Sequence, residues 1–292
     1  MTVSPVKFLF LISLLADGPE LAAGLPADIF EARPVSVPVK PGKLDEASGI
    51  ADSKSHPGYL WVEQDSGNPS QICLLSHTGE FYKKIKIKGA TNRDWEDMAL
   101  ANGPEKGRSY IYLADIGNNS VSASKYFIYR FPEPAANADT VYTFDKLVFK
   151  YPDGSHDAEA ILVDNTTRDI YVITKRDKPS GIYKILYPQS ATDVNSAVKV
   201  GSLSFQGVVS AAISPDGKEI LVKTYTGIYY WKRKAGQSIE QALQETPTQL
   251  PYQLEPQGEA ICFKQDNSGF FTLSEKPSFM KKVNLNFYKR KR

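Results

Sequence analysis

Short apolar runs separated by turn residues follow one another along most of the chain, and five segments share one pattern. Each segment has a polar residue near the start of an apolar run, then a turn, and then a second apolar run that ends near charged residues. Runs of this length with alternating or β-branched composition predict β-strands. Aligned on their third position, the five segments place these residues in one column: Ser48, Glu96, Glu159, Ser210 and Glu259.

The spacing of this column predicts a repeat architecture. Successive members lie 48, 63, 51 and 49 residues apart. A period near 50 residues with about four strands per period is typical of a β-propeller. One such unit cannot bury its own apolar faces, so stacking in a closed ring supplies the core. We therefore predict an all-β, five-bladed propeller with four antiparallel strands in each blade.

The two ends of the chain are predicted to meet in the last blade. The fifth unit ends with residues 278–287, which supply only its third strand, while residues 29–39 form an apolar–polar alternating run before the first unit. We expect this N-terminal run to add the missing fourth strand. The 63-residue spacing admits two interpretations, an insertion at residues 132–140 or a degenerate sixth blade.

Composition agrees with a folded globular chain. Of the 292 residues 41% are hydrophobic and 23% are charged, which excludes a disordered chain and a polytopic membrane protein. The formal net charge is +2, but six basic residues fall within the last twelve. The rest of the chain is thus mildly acidic, which argues against a nucleic-acid partner. We predict a single propeller domain over residues 25–287 and a basic tail over residues 288–292.

Residues 1–24 have the order of a secretory signal peptide. Lys7 precedes a short apolar run at residues 8–16, and small residues follow at residues 22–24. The run is too short to span a bilayer, so the mature chain is predicted to be secreted or periplasmic and to lack a transmembrane segment. The alternative interpretation of this run is a buried N-terminal strand.

The two cysteines do not indicate a metal or redox site. Cys73 and Cys262 both lie within apolar runs, where an unpaired cysteine packs as a small hydrophobic residue. We predict that both are buried and unpaired, although an exported protein could pair them.

The propeller interpretation also predicts where a site should lie. In each blade the first strand lines the central channel and the second runs antiparallel to it, so the start of the first and the end of the second share one face. This places Glu96, Glu159 and Glu259 near the axis. The same face receives the residues that end the second strands: Glu63, Asp65, Asp115, Lys175, Arg176, Asp177, Lys223 and Glu275.

Converging carboxylates need compensation from cations, hydrogen-bond donors or protons. Oxygen-only groups suit Ca²⁺ or Mg²⁺, so Glu96, Glu159 and Glu259 are predicted metal ligands with Ca²⁺ as the cofactor. Two further interpretations stay open for this column, a scaffold role in capping backbone amides of neighbouring blades and direct contact with substrate. The cations Lys175, Arg176 and Lys223, with Asp115 and Glu275, are predicted to bind substrate.

Two further features bear on the chemistry. His156 lies three residues before Glu159 and is predicted to join Glu159 and Glu96 as a catalytic residue. The segments at residues 65–68 (DSGN) and 115–118 (DIGN) lie 50 residues apart and are interpreted as Asx-type turns. The sequence contains no GxSxG, HExxH, Walker or GxGxxG motif, which disfavours serine hydrolases, zinc proteases and nucleotide-binding enzymes.

Several of these segments together resemble a group of exported bacterial β-propeller proteins that are distantly similar to phytase-like and esterase-like propellers. The resemblance covers about residues 44–278 and rests on these motifs: DWEDMA, YIYLADIGNN, DAEAILVD, IYVITKR, VVSAAISPDGKEILVKTY, QGEAICF and FFTLSE. It implies an exported propeller with an acidic central face. Phytase-like relatives bind calcium and hydrolyse phosphate esters, but their aspartate-rich calcium segments do not occur in this sequence.

Two functions follow as hypotheses. The first is a binding module, expected to be monomeric, that presents the face of the propeller to a small molecule or to an envelope or extracellular ligand. The second is a calcium-assisted hydrolase of phosphoesters or carboxylic esters, in which the glutamate column holds the metal and the lysine and arginine residues neutralise the substrate.

Overall fold

The computed structural model describes residues 29–40, 44–135 and 137–291, and within them the chain forms 22 β-strands and one short helix. The strands are arranged in five sheets, one for each predicted blade. The predicted signal peptide lies outside the described residues. No helix in the described part of the chain is long and apolar enough to cross a membrane.

The last blade is built from both ends of the chain. Blade 5 has the order β1 (Val35–Val39), β22 (Val283–Lys289), β21 (Gly269–Ser274) and β20 (Gly258–Phe263). The N-terminal strand β1 pairs antiparallel with β22, with Val35 opposite Phe287. The prediction that the N-terminal run closes the ring is therefore confirmed. The final strand continues through Lys289, two residues beyond residue 287, and Arg290 forms an ion pair with Glu219 of the preceding blade.

The other four blades follow the chain in order, each from the channel outwards. Blade 1 contains β2 (Ala47–Asp52), β3 (Tyr59–Gln64), β4 (Gln71–Ser76) and β5 (Phe81–Ile87). Blade 2 contains β6 (Trp95–Asn102), β7 (Ser109–Asp115), β8 (Tyr126–Pro132) and β10 (Asp145–Lys150). Blade 3 contains β11 (Ala158–Val163), β12 (Ile170–Thr174), β13 (Gly181–Ile185) and β15 (Val198–Ser202). Blade 4 contains β16 (Val208–Ile213), β17 (Glu219–Thr224), β18 (Ile228–Lys232) and β19 (Thr248–Leu250), with helix α1 (Ile239–Leu243) between the last two.

The longer spacing after blade 2 comes from an added outer strand. The two-residue strand β9 (Thr140–Val141) pairs parallel with the outer strand β5 of blade 1 before the chain returns as β10. A second short strand, β14 (Asn195–Ser196), pairs in the same way with β10 of blade 2. Five blades are thus present, and the two short strands cover the outer edges of blades 1 and 2, where unpaired backbone groups would otherwise be exposed.

The core lies between the blades. Aromatic and aliphatic residues on facing sheets pack into contiguous clusters; Trp61 of blade 1 and Trp95 of blade 2, for example, share one cluster and are wholly buried. Burying an apolar side chain of this kind contributes about 1.5–3 kcal/mol, which no blade obtains alone. Cys73 and Cys262 are both buried and free, as predicted.

Candidate functional site

A β-bulge marks the start of every inner strand. In all five blades the pairing between the first and second strands shifts register within the first residues of the inner strand. The inserted residue is unpaired and its side chain is redirected. In blades 2, 3 and 5 this residue is Glu96, Glu159 or Glu259, the column that the sequence predicts.

In blade 4 the alignment of the column is wrong by one residue. Val208 pairs with Thr224 and Ser210 pairs with Lys223, so the bulged residue is Val209. Ser210 instead corresponds to Asp97 of blade 2, which follows the bulge there. The polar side chain of Ser210 suggested the wrong alignment because polarity, unlike the bulge, is visible in the sequence.

Three carboxylates at this face form a compact group, which we call the acidic trio: Asp65, Asp94 and Glu96. One oxygen atom from each lies within 4.8 Å of the others. Asp65 follows the second strand of blade 1, whereas Asp94 and Glu96 open the first strand of blade 2. Gly117 lies against the trio, and a Cβ atom at that position would overlap Glu96 Oε1 and Asp94 Oδ2. The two carboxylates therefore need glycine beside them.

The trio is electrostatically unfavourable by itself. Burial, reinforced by Glu159 and by Asp65, raises the pKa of Glu96 well above its ordinary value. Burial raises the pKa of Asp65 to about 7, and burial likewise raises the pKa of Asp94. Carboxylates held in this way are stabilised either by protons or by a cation.

A fourth carboxylate lies beside the trio with no partner. Glu63 lies in β3, two residues before Asp65, and is close enough for the charge of Asp65 to act on it. Its side chain has no exposed surface, and neither carboxylate oxygen has a hydrogen-bond partner among the described residues. Burial, with the charges of Asp65, Asp97 and Glu259, raises its pKa well above the ordinary value.

On the same face, a hydrogen-bonded chain joins blades 3, 4 and 5. The Lys175 ammonium donates to Glu159 and lies 3.1 Å from the hydroxyl of Tyr225, which in turn donates to Glu259. Burial raises the pKa of Glu159 to about 8 even though the Lys175 charge opposes the shift. Nearby, burial and the charge of Glu259 raise the pKa of Glu275 to about 10.

The scaffold role considered for the glutamate column belongs to Asp97. Its carboxylate crosses the channel and accepts hydrogen bonds from three blades. The donors are the backbone N–H groups of Met98 (2.9 Å), Ile161 (3.0 Å) and Ala211 (3.3 Å) and the hydroxyl of Ser210 (3.1 Å). Asp97 therefore caps amides of neighbouring blades and closes the channel beneath the acidic residues.

Beyond Asp97 the channel opens as an apolar funnel. Its wall contains three consecutive residues from each inner strand, for example Ile161 to Val163 of blade 3. The space, including the open mouth, measures about 540 Å³. Lys54, Asn165 and Gln265 stand among the aliphatic side chains.

Two of the predicted cations differ in accessibility. Arg176 pairs with Asp157 and also contacts Asn119, and its side chain is 43% exposed, so the guanidinium is open to a ligand. Lys223 has no exposed side-chain surface. Its ammonium donates to the carbonyl oxygen of Gly258 and to the Tyr252 hydroxyl, and burial lowers its pKa. Arg176 therefore lies on the acidic face, whereas Lys223 is buried at the interface between blades 4 and 5.

Asp115 and His156 are held in local networks. Asp115 is wholly buried and accepts from Arg93 Nε and from the backbone N–H of Asp94, both at 3.1 Å, so it positions one member of the trio. The ring nitrogens of His156 contact Asp177 at 2.8 Å and Asp153 at 3.0 Å. These contacts engage His156 in the loops of blade 3, and none of them is to the trio.

Sequence reasoning undervalued three residues of the site. Asp65 is predicted on the same face, but its DSGN segment is interpreted as a turn and not as a source of ligands. Asp94 enters only as the first letter of DWED. Tyr225 is the third, because nothing local shows that it bridges two blades. Pairing places Asp115 opposite Trp95, but Gln64 opposite Ala47, so the DSGN and DIGN segments are offset by one residue and not equivalent. That offset explains why only Asp65 joins the trio.

No protein-family model matches the chain, and no curated protein matches it. Similar solved structures include a luciferin-regenerating enzyme, with a TM-score of 0.49 and 10% identity over 88% of this chain and 95% of that chain. Another is the Kuenenia stuttgartiensis hydrazine synthase, with a TM-score of 0.40 and 9% identity over 82% of this chain and 82% of that chain. These similarities concern the propeller-like architecture and assign no activity.

Proposed function

We propose that this protein is an exported propeller that binds a divalent cation at the acidic trio and presents the loaded face to a small polar ligand. The observation that carries the proposal is the convergence of Asp65, Asp94 and Glu96, with one oxygen of each within 4.8 Å of the others. Export rests on the signal-like residues 1–24, and the ligand stays undefined beyond its chemistry.

The residues of the site fit a hard cation. All three ligand groups are carboxylates, and Ca²⁺ and Mg²⁺ prefer oxygen ligands. Glu63 adds a buried carboxyl group close to Asp65, and a cation at the trio would favour its anionic form. Gly117 leaves the space in which two of the ligand oxygens lie. When bound, the cation would supply positive charge to polarise an oxygen of the ligand.

The ligand is proposed to be anionic or rich in oxygen. The Arg176 side chain is 43% exposed, whereas the Arg93 guanidinium already donates to Asp115 and to the carbonyl oxygens of Gly117 and Lys125. Arginine binds carboxylate and phosphate groups through paired hydrogen bonds. A cation at the trio and the Arg176 guanidinium on the same face would hold opposite parts of the same anionic ligand.

Calorimetric titration with Ca²⁺ and Mg²⁺ at pH 8 tests the cation site. We expect one ion per chain and, at a hundred times Kd, a rise in Tm of about 5 °C or more, since such occupancy adds about 2.7 kcal/mol. Glu96→Gln should weaken binding at least tenfold because it removes one anionic ligand. Glu105→Gln, at a 61% exposed glutamate on blade 2, is the matched control. Absence of binding to the wild-type chain would exclude the site.

A second candidate function is hydrolysis of an ester or phosphoester with help from the cation. Glu159 favours it, because this carboxyl group lies outside the trio and burial raises its pKa to about 8, so that it can exchange protons near neutral pH. We expect turnover of aryl ester or aryl phosphate substrates to require a divalent cation and to fall by about 100-fold or more in Glu159→Gln. If Glu105→Gln loses as much activity, or if no substrate turns over, the binding function stands alone.

A further inference from the structure

Lys175 lies on the acidic face among Glu159, Glu259 and Glu96. Its ammonium donates to Glu159 of blade 3, and through the Tyr225 hydroxyl, 3.1 Å away, it is linked to Glu259 of blade 5. Only 18% of the side chain is exposed, so water screens these charges weakly. An amino group of the chain itself thus lies among carboxylates that the bulges bring together.

The acidic face has more glutamates than the trio uses. Glu96, Glu159 and Glu259 occupy equivalent bulge positions in three blades, and the trio uses Glu96 alone. Glu159, Glu259 and the Tyr225 hydroxyl form a second set of oxygen atoms of the kind that a hard cation binds. This second set is already neutralised in part by Lys175, whose ammonium shows where positive charge is accepted.

We propose that Lys175 acts as a tethered cation, filling the place of a second metal ion between Glu159 and Glu259 and so restricting the propeller to one divalent ion at the trio. This inference rests on the proposed cation site. Its consequence is a single-ion face in which one positive charge is permanent and the other depends on the metal concentration outside the cell.

The chain offers a close control in Lys184. That side chain is 15% exposed and also lies between two carboxylates, Asp169 and Glu240, each 3.1 Å away. It belongs to the middle strand β13 of blade 3 and not to the acidic face. Replacing it removes the same charge and a similar pair of contacts, so general destabilisation is separated from a change at the site.

The test is the number of Ca²⁺ ions bound at pH 8, measured by equilibrium dialysis and elemental analysis on the wild-type chain and three variants. We expect one ion for wild type, for Lys175→Arg and for Lys184→Ala, and two ions for Lys175→Ala. Circular dichroism in saturating Ca²⁺ confirms that each variant is folded. If Lys175→Ala does not fold, Lys175→Met, which keeps most of the side-chain volume, replaces it with the same expectation.

The outcomes separate the two proposals. One ion for wild type and one or none for the alanine variant would overturn the tethered-cation inference and leave the trio site in place. No ion for wild type would overturn the trio site, and the inference with it. Two ions for both would show that Lys175 does not limit the number of ions.

Discussion

The five inner strands carry acidic residues at one end of the channel and apolar residues at the other. At their starts, three strands carry a buried glutamate at the bulge, while two carry Ser48 or Val209. Farther along, all five strands contribute to one apolar funnel. Every blade needs apolar residues to pack, so their fivefold occurrence is explained by folding. The glutamates occur in three blades only, which indicates that packing does not require them.

Glu96 and Asp97, which are adjacent in blade 2, also differ in whether the fold requires them. Asp97 accepts four hydrogen bonds from three blades, and these oppose the rise that burial causes in its pKa. Glu96 lies among other carboxylates, and its pKa is raised well above the ordinary value by burial and by Glu159. The hydrogen bonds of Asp97 give it a role in joining the blades, whereas the carboxylates around Glu96 supply no such role and indicate a ligand.

The largest expected effect on the free energy of unfolding comes from replacing Asp97, which lies between the acidic and the apolar ends of the channel. Asp97→Ala leaves three buried N–H groups and the Ser210 hydroxyl without their acceptor. At about 1–3 kcal/mol for an unsatisfied buried group, and with partial relaxation, we expect a loss of about 3–5 kcal/mol in the free energy of unfolding. Urea-induced unfolding, followed by tryptophan fluorescence, measures it in the absence of divalent cations.

The comparison variant lies in the apolar funnel. Ile161→Ala removes a wholly buried aliphatic side chain and should cost about 2–5 kcal/mol. Because Ile161 lies beyond Asp97, the cation affinity of the folded variant should stay within twofold of wild type. An Asp97→Ala protein as stable as wild type would show that Asp97 is not the scaffold residue; a large change in affinity in Ile161→Ala would show that the two ends are coupled.

The fold could be predicted from the sequence because each repeat carries the same pattern of apolar residues. The period near 50 residues and the missing fourth strand of the last unit predicted five blades and their closure by residues 29–39. Register inside a blade is less visible, so the bulge in blade 4 was placed at Ser210 instead of Val209. A one-residue offset reverses which side chain faces the axis.

The candidate site could be predicted only in part. The column of Glu96, Glu159 and Glu259 followed from the repeat, whereas the partners of Asp97 are fixed by ring closure. Ser210, for example, is 113 residues from Asp97. Burial is equally difficult to predict from the local sequence. Lys223 lies near the end of a second strand and Lys175 follows one, yet only Lys175 has exposed side-chain surface.

A smaller effect, on the acidic end alone, is expected from pH. Burial raises the pKa of Asp65 to about 7 and that of Glu159 to about 8, whereas both groups titrate near pH 4 in the unfolded chain. Between about pH 4 and 8 the folded state therefore holds protons that the unfolded state has released. The free energy of unfolding without divalent cations should fall with rising pH across this range.

Saturating Ca²⁺ should reduce this fall, because a cation at the trio replaces the protons as the source of positive charge. Glu96→Gln should also reduce it, since one fewer carboxylate repels Asp65 and Glu159. Ile161→Ala changes no charge and should lose stability by the same amount at every pH. Urea unfolding at pH 5, 6.5 and 8 measures all four cases. If the wild-type chain without Ca²⁺ instead becomes more stable toward pH 8, the carboxylates of the acidic end are already stabilised as anions by the protein. The difference between the two ends would then no longer indicate a cation site.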